Sequence, residues 1–323
     1  MDEFGLIARY FAPLAKDEPG ALGLTDDAAV LDLPAGARLV VATDAIVAGV
    51  HFLPDDPPAD IARKLMRVNL SDLAAMGAHA RGVLLAAVFR RGTEESWVAE
   101  FARGLGEDVR AFAAPLVGGD TVATDGPLTL ALTALGTVDA RGALTRSAAR
   151  EGDDIYVSGT IGDAALGLKA AKGELPGLDA GSREALIRRY RVPEPRLALG
   201  QGLVGIAHAC MDVSDGLVAD LGHVCECSGL GAHITAAALP VSSAARRALA
   251  GDPALINAML AGGDDYELVF SAPAAAREAV AAAARAAGVA VARIGIMTAG
   301  EGVEISDAEA LRVDLKTFGY SHF

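Results

Sequence analysis

Apolar positions along this chain fall into two patterns, short β-branched runs and longer stretches of helical period. Residues 39–43, 82–88 and 128–138 carry the first pattern and are predicted as strands, with helical stretches between them. Over 61–77 the residues Ile61, Leu65, Val68, Asp72 and Met76 share one stripe at 3.6 residues per turn, which predicts a helix with Arg63, Lys64 and Arg67 on another face. The chain turns polar from Arg146 to Asp154, and a fresh strand over 155–158 then opens into Gly159 and a helical stretch. Further on come Ala209-Cys210-Met211 leading to Asp212, a helix from Gly216, a strand at 268–270, a helix at 274–287 and a strand at 289–296. That succession is α/β order, whereas the first half reads as α+β or α/β. The boundary is placed near Arg146, giving domains 1–145 and 146–323.

Length agrees with that division, since 323 residues at 52% hydrophobic fill two moderate cores. No stretch approaches ~18 uninterrupted apolar residues, and Met1-Asp2-Glu3-Phe4 lacks a positively charged start, so no membrane span and a cytoplasmic location are expected. With 42 acidic against 28 basic side chains, a formal net charge of -14 repels nucleic acid and anionic membrane. The three cysteines, Cys210, Cys225 and Cys227, have no second pair to complete a zinc site and read as plain thiols in a reducing compartment.

Chemistry enters with four acidic motifs: Thr25-Asp26-Asp27-Ala28-Ala29, Thr43-Asp44, Gly118-Gly119-Asp120-Thr121 and Asp212-Val213-Ser214-Asp215-Gly216. Clustered aspartates without matching arginines imply a divalent cation, and a bound cation makes an anionic ligand such as a polyphosphate plausible. Asp44 and Asp120 are predicted at strand ends, where α/β ligand sites gather. The glycines before Asp120 let backbone N–H groups approach a phosphate closely, with an ordinary turn as the alternative. Asp72 is predicted to point inward with Asn69 offering it an amide; the alternative is a capping or ion-paired aspartate. Ser214 or Asp215 is expected to cap the following helix, with Asp212 still a strand-end carboxylate beside the helix N-terminus. His51 lies in a loop with Pro54, Pro57 and Pro58, and the remaining histidines show no ligand spacing. No Gly-Lys dipeptide exists, so there is no Walker A loop, and neither His-Glu-x-x-His nor Gly-x-Ser-x-Gly occurs.

Taken together, these motifs resemble the thiamine-monophosphate kinases of the aminoimidazole ribonucleotide synthetase-like superfamily. The likeness spans nearly the whole chain. It also takes in Phe4-Gly5-Leu6-Ile7-Ala8-Arg9, Gly49-Val50-His51-Phe52, the run from Asn69 to Ala78, Leu144-Thr145-Arg146-Ser147, the run from Gly262 to Leu268, and Gly319-Tyr320-Ser321-His322-Phe323. The resemblance implies a two-domain α/β (α+β) fold and a homodimer paired through the N-terminal, ATP-binding domains. It implies Mg2+ on Asp27, Thr43, Asp44, Asp72, Asp120, Asp212 and Asp215, nucleotide contacts from Gly119, Asp120, Arg146 and Ser214, and a thiamine phosphate side at His51, Asp264 and Tyr320. The chain departs from the family pattern at Thr25, Ala42 and Asp264. The implied reaction is ATP-dependent phosphorylation of thiamine monophosphate to the diphosphate. Two alternatives stand beside it: another superfamily activity, such as aminoimidazole ribonucleotide or selenophosphate synthesis, and a cation- or nucleotide-binding module without turnover. Against the first, no reactive Cys lies near the N-terminus and the ending Tyr320-Ser321-His322-Phe323 carries no Cys.

Overall fold

A computed structural model describes residues 3–306 and 319. The chain divides into two units, one of residues 1–73 with 78–140 and one of 74–77 with 141–323. In the first unit α1 (Glu3–Leu6) is followed by β1 (Arg38–Val47), α2 (Pro58–Ala75), β2 (His79–Arg90), α3 (Glu95–Ala111), β3 (Leu116–Thr124) and β4 (Thr129–Val138). The strands form one sheet in the order β1-β4-β2-β3, with β4 antiparallel to β1 and β2, and β2 parallel to β3. Leu130, Leu132 and Ala134 of β4 are buried, whereas Ala131, Thr133 and Leu135 between them are only half-buried. This period of two marks one covered face and one open face. Buried Leu65, Leu73, Phe101 and Leu105 of α2 and α3 complete the covered side, each side chain contributing about 1.5–3 kcal/mol on burial.

The helix predicted over 61–77 is α2, but it is buried almost all round. Lys64, expected on the polar face, is 2% exposed and its Nζ donates to His51 O at 2.9 Å. Its methylene stem packs in the core while the ammonium finds a carbonyl, so the charge is accommodated without reaching water.

The second unit contains β5 (Asp154–Ser158), α4 (Asp163–Ala171), α5 (Ala180–Arg191), α6 (Leu197–Leu203), β6 (Ala209–Asp212), α7 (Leu217–Ser228), β7 (Gly231–Thr235), α8 (Ser243–Gly251), α9 (Leu255–Ala261), β8 (Leu268–Ala272), α10 (Arg277–Ala287), β9 (Val291–Thr298) and β10 (Gly302–Ser306). Its sheet runs β10-β7-β9-β5-β8-β6. Both faces are covered, because Ile155 and Val157 of β5 pack with Leu217, Leu221 and Val224 of α7, while Tyr156 packs with Leu199, Leu203 and Val280 of α6 and α10. Alternating strands and helices led to an expectation of α/β order, yet every pairing is antiparallel except β10 with β7. Parallel neighbours arise when a crossover sets the next strand beside the last. Here β5 lies between β8 and β9, both more than a hundred residues later, so sequence order and sheet order part company.

Candidate functional site

The candidate residues divide between the two units. In the first, a cavity of about 580 Å³ is lined by Asp26, Asp27, Gly118, Gly119, Asp120 and Thr133, among others. The sheet register explains why Asp120 faces it. Asp120 stands opposite Ala86 and Ala86 opposite Ala131, the same open face that carries the Thr43–Thr133 pair. Thr43 Oγ1 donates to Leu132 O at 3.1 Å and accepts from Thr133 Oγ1 at 3.1 Å, so its hydroxyl is tied across strands. Asp120 Oδ1 accepts its neighbour Thr121 N at 2.9 Å, and Asp26 Oδ1 accepts Asp27 N at 2.9 Å, local contacts that order both acids. Gly119 admits no side chain, because a Cβ there would lie 1.9 Å from Leu85 O.

Two predictions about this unit need correction. Asp44 and Asp120 do not sit at strand ends but inside β1 (Arg38–Val47) and β3 (Leu116–Thr124). Those are the two outer strands of the sheet, where a carboxylate in mid-strand still reaches solvent. Asn69 was expected to hold Asp72; instead its Oδ1 accepts Asp44 N at 2.9 Å and its Nδ2 donates to Leu65 O at 2.9 Å. A wholly buried amide thereby ties β1 to α2 at the acid motif, and Asp72, three residues along α2, is half-buried rather than internal. His51 stands apart from the cavity lining, its Nδ1 accepting Val47 N at 3.1 Å.

In the second unit, Asp212 ends β6, as predicted, and is 3% exposed. The turn after it is bonded to the segment before β8: Asp264 N donates to Ser214 O, Tyr266 N to Val213 O and Val213 N to Glu267 O, each at 2.8 Å. Asp212, Ser214, Asp215 and Asp264 are thus neighbours along one edge of the sheet. Arg146 is exposed; Thr145 O before it accepts Cys210 N at 3.0 Å, which seats this stretch beside β6. Neither Ser214 nor Asp215 caps α7. Gly216 holds the cap position, and Asp220 from the first turn reaches back, its Oδ2 accepting Asp215 N at 3.0 Å and Gly216 N at 3.1 Å. Tyr320 lies outside the described residues.

Asp220 was missed in the sequence, although an acid in the first helical turn that reaches back to N-terminal amides is a known capping signal. It has no exposed surface, and its Oδ1 has no hydrogen-bond partner. Burial, and then the charges of Asp212 and Asp215, push its carboxyl up to about 8. Among the described residues no three acids or histidines converge closely enough to enclose a metal ion. A closed cage is not what magnesium requires, since one or two carboxylates with water and substrate phosphates suffice. The hard-oxygen donors and the orphaned Oδ1 fit such a cation.

Two family models match the chain, AIR synthase related protein, N-terminal domain, over residues 25–138 and AIR synthase related protein, C-terminal domain, over 150–308. The chain is 44% identical over 324 residues to the thiamine-monophosphate kinase of Escherichia coli (strain K12), covering 99% of this chain and 98% of that protein. Among solved structures it is similar to thiamine-monophosphate kinase from Stenotrophomonas maltophilia K279a, with 40% identity, coverage of 94% and 96% of the two chains and a TM-score of 0.85. It is also similar to AaThiL complexed with AMPPCP and TMP, with 29% identity, coverage of 99% and 97% and a TM-score of 0.79.

Proposed function

This chain belongs to the thiamine-monophosphate kinases within the AIR synthase related proteins, and from that premise we propose that it transfers the terminal phosphoryl group of ATP to thiamine monophosphate, forming thiamine diphosphate and ADP. The observation that carries this reading is the match to these kinases along almost the entire chain, joined by a relative solved with an ATP analogue and TMP. The acceptor phosphate is already an anionic nucleophile, so direct in-line transfer needs no covalent intermediate. Catalysis reduces to aligning two anions that repel each other and offsetting their charge. Like unit charges ~4 Å apart cost about 4 kcal/mol at an effective dielectric of 20, so the charge term decides the rate.

Asp27, Thr43, Asp44, Asp72 and Asp120 within the first unit, and Asp212 and Asp215 within the second, are residues that would each hold Mg2+ in their own unit, which when bound would neutralise charge on the transferred group. Gly119, Asp120, Arg146 and Ser214 take the nucleotide phosphates, Gly119 through backbone that nothing bulkier permits. His51, Asp264 and Tyr320 meet the thiamine phosphate. The protein works as a homodimer. Supporting this, the open face of the first unit's sheet exposes Leu39, Val41 and Val122 at 48%, 57% and 46%, an apolar surface that a second copy would cover. Its three free thiols suit the cytoplasm, and no helix among the described residues is long and apolar enough to cross a membrane.

The test is ADP release from ATP and magnesium with thiamine monophosphate, with free thiamine and with no acceptor, in wild type and Asp72→Asn. Release that requires the monophosphate and is lost in the variant is expected. Release without acceptor dependence would overturn the kinase reading in favour of ATP hydrolysis, and no release at all would leave a binding module.

A further inference from the structure

Glu267 immediately precedes β8, has no exposed surface, and collects more cation than one buried carboxylate needs. Arg189 Nη2 donates to it at 2.8 Å, Arg196 Nε at 2.6 Å and Arg196 Nη2 at 2.5 Å, and Ser158 Oγ adds a fourth bond at 2.6 Å. Arg189 also donates to Asp265 O at 3.2 Å, and Arg196 Nη1 to Glu194 at 3.1 Å. The carboxylate occupies the place of a missing side chain: a Cβ on Gly159, whose φ is +56°, would lie 2.0 Å from Glu267 Oε1.

What this hub anchors is unusual backbone. Asp264 and Tyr266, just before Glu267, have φ of 73° and 50°, left-handed values that side chains other than glycine adopt only when the surroundings hold them there. Three main-chain bonds join this segment to the turn after β6, from Asp264 N to Ser214 O, Tyr266 N to Val213 O and Val213 N to Glu267 O. Displacing Glu267 would therefore move Asp264 and the Asp212–Asp215 turn together.

We propose that Arg189 and Arg196 are positioning residues for phosphoryl transfer, holding Glu267 so that the left-handed Asp264–Tyr266 segment and the adjoining turn keep their places. The inference rests on the roles given above to Asp264 on the acceptor side and to Asp212, Ser214 and Asp215 on the nucleotide side. Neither arginine is assigned a substrate contact. The fold supplies its own control at the opposite end of β5 from Ser158, where buried Asp154 is held by Arg277 at 2.6 and 2.9 Å and by Arg293 at 3.0 Å.

The experiment compares Arg196→Lys, Arg189→Lys and Glu267→Gln with Arg277→Lys in the full-length protein. It measures thermal midpoint, kcat and KM for both substrates, and calorimetric binding of thiamine monophosphate. The expected result is a KM and a binding constant for thiamine monophosphate weakened at least tenfold in the hub variants at temperatures where they remain folded. Arg277→Lys should lose stability to a similar degree and keep wild-type kinetics. Hub variants that stay within twofold of wild type in KM and binding, or an Arg277→Lys equally impaired, would overturn the positioning role. Wild-type protein that binds thiamine monophosphate without releasing ADP would sink the kinase reading instead, and the binding comparison would still decide the role of the two arginines.

Discussion

Asp265 offers a pH experiment whose sign the structure dictates. The side chain has no exposed surface and caps the start of α4, with Oδ2 accepting Gly162 N at 2.6 Å and Oδ1 accepting Ala164 N at 3.1 Å. Burial pushes its carboxyl up to about 7, outweighing the two amide donors and the nearby Arg189 that favour ionisation. A carboxyl raised on folding contributes its full stability below the unfolded value of about 4 and loses it as pH rises through about 7. A rise from about 4 to about 7 corresponds to about 4 kcal/mol in all, of which about 3 kcal/mol falls between pH 5 and pH 9. Asp265→Asn has no such dependence, but its amide can accept only one of the two backbone bonds, which costs about 1–2 kcal/mol at every pH. The variant should therefore be less stable than wild type at pH 5 by about that amount and more stable at pH 9 by a similar amount. Differential scanning calorimetry across this range reads the crossing as a change of sign in the midpoint difference, at roughly 2–4 °C per kcal/mol. Titrations elsewhere in the chain cancel in the comparison. A midpoint difference that stays constant from pH 5 to pH 9 would refute the assignment of a buried, reluctantly ionised acid.

Three further outcomes follow from packing and charge. Gly119→Ala sets a Cβ 1.9 Å from Leu85 O, so the β2–β3 pair must part there; a loss of at least about 2 kcal/mol in thermal or denaturant unfolding is expected, together with loss of ADP release. Asp108→Asn disrupts the two-bond contact with Arg67, at 2.6 and 2.9 Å, and removes the negative charge buried beside that guanidinium; about 3–5 kcal/mol should be lost in urea unfolding. Val41→Arg introduces a charge on the open sheet face, and light scattering after gel filtration should show the proposed dimer giving way to monomer with activity falling in parallel. A variant that remained dimeric and active would place the dimer contact elsewhere.

The residues proposed to touch ligand stand out in the sequence because they come in short runs. Thr43-Asp44, Gly118-Gly119-Asp120 and Asp212 to Gly216 announce hard-oxygen chemistry whatever the fold around them. What holds them does not, because the partners lie far away in the chain. Asn69 is 25 residues from Asp44, Arg196 is 71 from Glu267, and Ala164 is 101 from Asp265. Strand β3 runs on past the end predicted for it at Asp120 for a local reason, since Gly118, Gly119 and Asp120 all disfavour extended pairing on their own and are drawn into it by the parallel neighbour β2. The short strands β7 and β10 alternate, but each offers only two apolar positions, Ala232 and Ile234 in one and Val303 and Ile305 in the other, too few to mark a strand by pattern.

One misplaced feature, acids inside strands rather than at their ends, follows from the order of the sheet. In an α/β sheet with covered faces a carboxylate must wait for the strand to finish before it meets water, which is why ligand sites gather at strand ends. The first unit's sheet has four strands, and its two outer strands expose mid-strand positions, Asp44 and Asp120 among them. Its inner strands, β4 and β2, contain no acid at all, while Asp44 and Asp120 occupy the two outer ones. An edge strand with unpaired backbone groups is ordinarily a risk for uncontrolled pairing, and charges placed on it oppose that. The same acids proposed to hold a cation thus oppose pairing of the edges with the wrong chain. On this reasoning, neutralising both Asp44 and Asp120 should cost the protein its solubility at high concentration as well as its turnover, whereas Asp72→Asn, on a helix, should cost turnover alone.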